Sequence, residues 1–444
     1  MASRRDQLQS YQFLNQRVIS AFVMRETDPA QSPLRRGIGA LFGGLMVAVL
    51  IGAGFGIYGI LTKVGTDQWK SDGSVVIERE SGASFVYLQG RLNPALNFTS
   101  AKLAAGRPNP TVYRIAAKAL AGVPRGVTIG IPNAPASLPA AGQQIGLPWT
   151  MCVVPGDDPA SALLVGSAGP GGTDLGERGL LVTDGDSQLV WHGRKHRIRD
   201  ARTTLPALFG AVDPIPVGIA WLNALPAGTD IAPLQVQNRG EPSDDVEGFA
   251  NGDVLSAKAG VDGKQFYLVL RNGLLPITPL QQTVLNASFP AEPKDIPNSV
   301  VANSPPLKPA AGNTQPESPP ELAAVAAGTT ACAITRVAAT PPSITVGGAA
   351  AGLAAAVPTA GADGGRALAD AILVPAGRFA LVRVPGSGGY QVVTDLGLRH
   401  AVPNADALGR LGYAPASATE VPTALVSAIP RGVTLDPAAA VRPA

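Results

Sequence analysis

The chain has 444 residues and a formal net charge of +3 at neutral pH. This excess is confined to residues 1–36, which hold six arginines and three acidic residues, so the rest of the chain sums to zero. This neutral remainder gives no electrostatic argument for nucleic-acid binding, and it is long enough for two or three ordinary domains. Its 52 glycines and 41 prolines favour short strands and loops over long helices.

The N-terminal arm, residues 1–36, is predicted to contain one amphipathic helix, from about residue 5 to residue 25. Its apolar residues recur at spacings of three and four and so share one face: Leu8, Tyr11, Leu14, Val18 and Phe22. Two interpretations stay open, a helix lying on the membrane surface and a docking surface for a cytoplasmic partner. Pro29 and Pro33 are predicted to end the arm.

A transmembrane helix is predicted over residues 37–62. The 24 residues from Ile38 to Leu61 carry no charge, and a helix of that length crosses a hydrocarbon core of about 30 Å. A removable signal peptide would have a shorter apolar stretch nearer to residue 1. Because basic segments stay in the cytoplasm, the arm is predicted to be cytoplasmic and the 382 residues from Lys63 onward extracytoplasmic.

Small residues recur every fourth position within this helix, at Gly44, Ala48, Gly52 and Gly56. This spacing places them on one face, where they allow the backbone of another membrane helix to approach closely. An apolar, glycine-rich segment also produces such a pattern by chance.

The region after the membrane helix contains an internal repeat. One half of the unit is a strand, a glycine turn and a second strand, found at residues 85–92, 189–196, 268–275 and 390–398. The other half ends in a closing phrase at residues 124–129, 226–231 and 430–435, and the first and third of these share Pro-Arg-Gly-Val-Thr. Short apolar helices are predicted before each phrase. The sequence therefore predicts four small repeats, the third without a clear closing phrase.

The fold class predicted from these elements is α+β, with a single transmembrane helix followed by four small repeat domains around a central β-rich core. Buried strands are predicted on both sides of the second and third repeats, among them residues 147–154, 331–337 and 379–382. Nine prolines in residues 290–320 predict a linker without a packed core. The predicted regions are the first repeat (63–146), the first part of the core (147–175), the second and third repeats (176–290), the proline-rich linker (291–320), the second part of the core (321–385) and the fourth repeat with the C-terminus (386–444).

The two cysteines, Cys152 and Cys332, would both lie outside the cytoplasm, where a disulfide is favoured. Two buried thiols are the alternative interpretation. The basic turn around His192 and His196 is predicted to be a solvated hairpin tip.

The motifs that carry chemistry are mostly absent from the sequence. The nucleotide-binding pattern G-x-x-x-x-G-K-[ST] does not occur, and the Gly263-Lys264 pair is followed by Gln265. No G-x-S-x-G nucleophile motif occurs either. We therefore predict no catalytic residues, no cofactor site and no metal site.

The chain resembles the EccB family, the single-pass membrane component of the type VII (ESX) secretion systems of actinobacteria. The resemblance is carried by the opening residues Arg5-Asp6-Gln7-Leu8-Gln9, by Trp149 and Cys152, and by the late stretches 373–377 and 390–397. It covers essentially the whole chain. It implies a bacterial plasma-membrane location, repeat domains around a core, and one disulfide.

The resemblance also implies partners and functions. The expected partners are EccC, EccD and EccE, in a membrane complex whose motor ATPase is EccC. The expected function is that of a structural subunit whose extracytoplasmic scaffold supports protein export. Two alternatives stay open: an extracytoplasmic ATPase, because family members carry that label, and a module that binds peptidoglycan. Self-association through the repeats is a further expectation.

Overall fold

The structure is a computed structural model of the chain. It describes residues 3–25, 34–61, 67–260, 263–326, 329–353, 355–384, 386 and 389–444. The chain divides into two compact units, Met1–Lys70 and Ser71–Ala444. Pro29 and Pro33, predicted to end the arm, lie outside the described residues, as does Lys63.

The first unit consists of helices α1 (Arg4–Met24) and α2 (Leu34–Leu61), with a 3₁₀ turn at Asp67–Lys70. A capping box begins α1, because the Ser3 side chain accepts a hydrogen bond from the Asp6 backbone and the Asp6 carboxylate accepts one from the Ser3 amide. Arg25 ends the helix in the left-handed region, at φ 55°.

The second unit begins with the first repeat. Its elements are β1 (Ser74–Glu78), β2 (Ser84–Leu88), β3 (Arg91–Ala95), α3 (Phe98–Ala104), β4 (Val112–Ile115) and α4 (Ala117–Leu120). The chain then enters a central region through β5 (Gln144–Ile145), β6 (Trp149–Val154), β7 (Ala160–Val165) and β8 (Thr173–Asp174).

The second and third repeats follow one another along the chain. The second repeat consists of β9 (Leu180–Thr183), β10 (Ser187–Trp191), β11 (Arg194–Arg197), α5 (Ala201–Phe209), β12 (Ile215–Pro216) and α6 (Ile219–Ala224). The third consists of β13 (Val254–Ala259), β14 (Gly263–Leu270), β15 (Gly273–Ile277), α7 (Pro279–Ser288), β16 (Lys294–Asp295) and α8 (Asn298–Asn303).

The chain then returns to the central region before it forms the last repeat. The returning strands are β17 (Thr330–Thr335), β18 (Ser343–Gly348), β19 (Val357–Pro358), β20 (Ala362–Asp363), β21 (Arg366–Ala367) and β22 (Ala371–Leu373). The fourth repeat consists of β23 (Phe379–Arg383), β24 (Tyr390–Thr394), β25 (Arg399–Val402), α9 (Ala405–Leu411), β26 (Thr419–Glu420) and α10 (Thr423–Ser427), and α11 (Pro437–Ala440) follows it.

All four repeats share one plan. Three antiparallel strands form a meander, a helix follows, and a fourth strand returns to pair parallel with the first, as in the order β3-β2-β1-β4. A short helix then leads into a closing segment that pairs with the third strand. The predicted α+β architecture of repeats around a β-rich core is confirmed.

The core is a seven-stranded sheet in the order β19-β22-β7-β6-β17-β18-β8. Strands from before and after the second and third repeats meet at its centre, where β6 pairs antiparallel with β17. The short helices α6 and α10 cover one face, and their residues Trp221 and Leu425 share a core with Met151 and Ile372. The sheet is therefore completed only by segments that are distant in sequence.

The closing segment forms the same pair of backbone hydrogen bonds in every repeat. In the fourth, Arg399 donates to Pro430 over 3.0 Å and Gly432 donates to Arg399 over 2.8 Å. In the third, Leu274 donates to Pro305 and Leu307 donates to Leu274, each over 2.9 Å. The third repeat thus has a closing segment, although the sequence shows no clear closing phrase there. Backbone hydrogen bonds do not require particular residue types, so the segment can form without that phrase.

Two predicted boundaries need correction. Residues 291–320, predicted to be a linker without a packed core, contain β16 and α8, and Ile296 and Val301 pack against the core of the third repeat. Residues 379–383, predicted to belong to the central core, form the first strand of the fourth repeat. Periodicity could not assign residues 379–383 to the correct sheet, because an apolar strand has the same sequence pattern in either one.

The repeats are joined in pairs. The first and fourth share a core in which Val75 and Leu103 meet Phe379 and Leu408. The second and third share another, formed by residues such as Leu205 and those of α7. Segments also cross between repeats, since β5 pairs with β23 and the residues before Ala444 pair with the first closing segment. Contacts between segments that are distant in sequence therefore connect the beginning and the end of the second unit.

Candidate assembly surfaces

The apolar stripe of α1 is exposed in the structure. The exposed fractions of Leu14, Val18 and Phe22 are 63%, 50% and 88%, and Leu8 and Tyr11 are similarly exposed. A soluble helix normally buries such a stripe against a core. The proposed role of these five residues in partner binding stays a prediction.

The exposed apolar surface of α1 is wider than the sequence analysis indicated. Ile19 and Val23 are also exposed, and each follows a predicted stripe residue, so they lie along one side of the stripe. Their spacing of four was the signal that could have revealed them. Phe13 lies on a different face, where the Arg17 guanidinium sits 5.1 Å from its ring centroid.

Within α2, the segment Gly37–Gly59 has a mean hydropathy of 2.2, and none of its most apolar stretch is buried within the described structure. By length and composition it can cross a membrane. A Cβ atom added at Gly44, Gly52 or Gly56 would meet no atom within 4 Å, so this face, with Ala48, is open. That the face packs against another membrane helix stays a prediction.

In the central sheet, Cys152 and Cys332 lie directly opposite each other on β6 and β17, and they form a disulfide. Both are buried, in an apolar cluster with Ala162, Leu164 and Leu353. The disulfide closes a loop of 180 residues between the two halves of the core.

The predicted solvated tip at residues 192–197 is only partly correct. His192 is exposed and its Nε2 lies 2.9 Å from Glu177, but His196 is fully buried. The turn is limited to residues 192 and 193, which have positive φ, and β11 begins at Arg194. The basic neighbours of His196 concealed its inward position.

His196 and His400 occupy equivalent positions in the second and fourth repeats. Their Nδ1 atoms lie 2.8 Å from the carbonyl of Thr229 and 3.0 Å from that of Val433, and because a carbonyl only accepts, Nδ1 must donate. A Cβ atom at Gly228 or Gly432 would overlap the ring beneath it, which explains these glycines. The first repeat places Asn93 under Gly126 in the same way.

Burial lowers the pKa of both histidines below the usual 6.5, against the opposing effect of the hydrogen bonds to Thr229 and Val433. For His196 the charge of Arg194 lowers the pKa further and that of Asp230 raises it. Among the described residues, the His196 Nε2 has no hydrogen-bond partner, so a proton there would be a buried, unsatisfied donor. Both rings are therefore held in the neutral form.

We expect the stability of the chain to fall as the pH drops below about 6.5, because the unfolded chain then binds protons that the folded histidines resist. Above that pH the stabilisation is fully present. His196→Asn and His400→Asn copy the first repeat and should flatten the dependence. Thermal unfolding between pH 5 and pH 8 measures this, and the same slope in the double variant would contradict it.

The described residues contain no group of three or more His, Cys, Asp or Glu side chains placed to hold a metal ion. Lys264, from the Gly-Lys pair, lies in β14 and its Nζ contacts Asp295 over 3.1 Å. It does not begin a helix, as the lysine of a phosphate-binding loop does. The Asp244 carboxylate forms a salt bridge with Arg271 over 2.7 Å.

These features define a membrane-anchored protein with an exposed N-terminal helix and a large domain built from paired repeats. A family model described as "Type VII secretion system ESX-1, transport TM domain B" matches residues 1–443. The chain belongs to this family, EccB.

Among curated relatives, the "ESX-2 secretion system ATPase EccB2" of Mycobacterium tuberculosis is 30% identical over 68% of this chain. The "ESX-3 secretion system ATPase EccB3" of Mycolicibacterium smegmatis is 27% identical over 74% of this chain. The matched regions span 63% and 66% of those relatives' lengths.

Two solved structures share the fold. A chain of an intact ESX-5 inner membrane complex has a TM-score of 0.68 at 25% identity, covering 100% of this chain and 96% of that chain. A chain of an EccB3 dimer from the ESX-3 core complex has a TM-score of 0.65 at 25% identity, covering 83% of this chain and 100% of that chain.

Proposed function

We propose that this chain is a structural subunit of a type VII secretion complex in the plasma membrane, and that its second unit forms an extracytoplasmic scaffold. The observation that carries the proposal is the combination of an apolar helix able to cross a membrane with an exposed apolar arm before it. The solved relative in an ESX-5 inner membrane complex, which covers the whole chain, supports this placement.

The charge distribution supports the sidedness. The net charge of +3 in residues 1–36 favours a cytoplasmic arm, and the disulfide favours an oxidising compartment for the second unit. EccC, EccD and EccE are the proposed partners, and the arm and the small-residue face of α2 are the surfaces proposed to meet them.

The construction of the second unit suits a scaffold. Pairs of repeats share cores, and the central sheet joins strands from both sides of the second and third repeats. Such a unit transmits force between its ends with little internal movement, because opening it requires several cores to separate together. Self-association through the repeats is proposed on the same basis, and a solved EccB3 relative is a dimer.

An extracytoplasmic ATPase is the second candidate, because the curated relatives carry ATPase in their names. The sequence lacks the phosphate-binding pattern, and Lys264 is engaged by Asp295. We therefore favour the structural role over ATP hydrolysis by this chain. A peptidoglycan-binding role is compatible with the scaffold role, and a cell-wall pull-down would distinguish it from scaffolding alone.

Purification of the tagged full chain in mild detergent, with its companions identified by mass spectrometry, tests the proposal. We expect EccC, EccD and EccE to elute with it in stable proportions. Elution of the chain alone, from cells that contain all the other subunits, would contradict the structural role. ATP hydrolysis by the isolated chain would instead support the second candidate.

A further inference from the structure

Three arginines from separate segments of the second unit line one small cavity. They are Arg366 in β21, Arg399 in β25 and Arg431 in the fourth closing segment. The cavity has a volume of about 220 Å³ and is also lined by Asp363, Leu368 and Ser427. Three guanidinium groups and one carboxylate give it a formal charge of +2.

The backbone fixes two of these arginines next to each other. Arg399 and Arg431 are direct partners in a parallel bridge, held by the hydrogen bonds of the closing segment. The Arg399 Nε also donates to the carbonyl of Ile429 over 2.7 Å, which fixes its side chain. Like charges placed opposite each other on neighbouring strands destabilise a sheet.

The third arginine comes from a two-residue hairpin. Gly364 and Gly365 form its turn with φ values of 57° and 81°, and Arg366 pairs with Asp363 across it. Positive φ at both turn positions is the reason for two glycines here. The hairpin thus brings a further positive charge to a site that already holds two.

Among the described residues, none of the three arginines forms a salt bridge. In the same repeat, Arg383 pairs with Glu420 and Arg410 pairs with Asp406, so carboxylate partners are supplied at other positions. Burial lowers the pKa of Arg399, and the charges of Arg431 and Arg366 lower it further, against Asp363.

The other repeats do not repeat this arrangement. The pairs equivalent to Arg399 and Arg431 are Leu92 with Arg125, Lys195 with Ala227, and Leu274 with Pro306, so each carries at most one charge. The common fold therefore does not require two arginines here. Unfavourable local chemistry without a structural need is typical of a functional site.

We propose that this cavity, the arginine pocket, binds a phosphate group in its dianionic form. A phosphate dianion neutralises the formal charge of +2, whereas a single carboxylate leaves one positive charge unopposed. Its oxygens accept from several guanidinium groups at once, which is the geometry that arginine provides. The Ser427 hydroxyl also lies at the wall of the cavity, where it donates to the Ala424 carbonyl over 3.0 Å.

Titration of the full chain in detergent with inorganic phosphate, at constant ionic strength and at a mildly alkaline pH at which inorganic phosphate is a dianion, tests the proposal. We expect saturable binding and a rise in melting temperature. Arg431→Gln and Arg366→Gln should each weaken binding about tenfold or more, because each removes charged hydrogen bonds. The matched control Arg383→Gln removes an arginine that is already paired, and it should bind as the unmodified chain does.

Melting temperatures without phosphate separate a binding role from a structural one. Removing one of three like charges should leave the melting temperature unchanged or raise it, whereas loss of a structural contact would lower it. Absence of saturable binding to the unmodified chain would overturn the proposal. Equal weakening by Arg383→Gln would also overturn it, because binding would then follow the overall charge.

Two further probes identify the source of the phosphate. Glycerol 3-phosphate represents a soluble phosphate ester, and phosphatidylcholine vesicles that contain phosphatidate represent a lipid headgroup. Binding to vesicles that depends on Arg431 assigns the pocket to a lipid headgroup. Binding limited to the soluble probes assigns it to a free phosphate, and equal vesicle binding by Arg431→Gln would exclude the pocket as the lipid site.

Discussion

Replacing Leu14 and Val18 with aspartate is expected to abolish co-purification of the chain with its proposed partners and to stop secretion. Both side chains are exposed in the middle of the apolar stripe of α1. If a partner covers the stripe, two carboxylates would be moved from water into an apolar contact, which costs about 3 kcal/mol or more for the pair. That corresponds to a loss of affinity of over roughly a hundredfold.

The chain offers a matched control. Gln9 and Val18 are nine residues apart, or 2.5 helical turns, so they lie on opposite faces of α1. Gln9→Asp adds one such charge away from the stripe and should leave the complex intact, whereas Val18→Asp alone should already weaken it. Normal complex yield from Leu14→Asp/Val18→Asp, at normal membrane levels of the chain, would mean that the stripe rests on lipid.

Removing the disulfide is expected to produce the largest loss of stability in the second unit. Cys152→Ala/Cys332→Ala releases a loop of 180 residues in the unfolded chain. The chain-entropy treatment of disulfides gives a loss of about 5 kcal/mol for a loop of this length. Alanine is chosen because the site is buried among apolar residues and would leave a serine hydroxyl without a partner.

Thermal unfolding of the full chain in detergent, with and without a reducing agent, measures this effect. The reducing agent should lower the melting temperature of the unmodified chain towards that of the double variant and should not change the variant. Equal melting temperatures for both proteins without reductant would contradict the prediction. Peptide mapping under non-reducing conditions confirms that the unmodified sample contains the bond.

The features that can be predicted from the sequence are those that require particular residue types at particular positions. The meander hairpins were visible because a turn with positive φ selects glycine, and three closing segments were visible because the His or Asn side chain beneath each one requires a glycine above it. In the third repeat Leu275 stands where the second and fourth repeats have a histidine, and Leu307 stands where they have the glycine. The closing phrase is therefore not recognisable in the sequence. The membrane segment was equally visible because lipid requires a long apolar run.

Features that depend on distant contacts were not predictable. In the fourth repeat, β23 pairs with the distant strand β5, and the sequence of β23 resembles that of a core strand. His196 was concealed by the basic residues around it, although strand alternation turns it inward. The arginine pocket is formed by residues from positions 363 to 431, and nothing in their local sequences indicates that they meet.

The core shared by the first and fourth repeats has a consequence for the order of synthesis. The first repeat ends near residue 131, whereas its partner strand begins at Phe379, so roughly 250 residues must still be translated, about 12–50 s at ordinary rates. During that interval the first repeat exposes an apolar surface with nothing to cover it. A chain shortened to end before Phe379 should therefore leave residues 71–131 sensitive to protease, and in the growing chain this surface would need a chaperone until the last repeat is made.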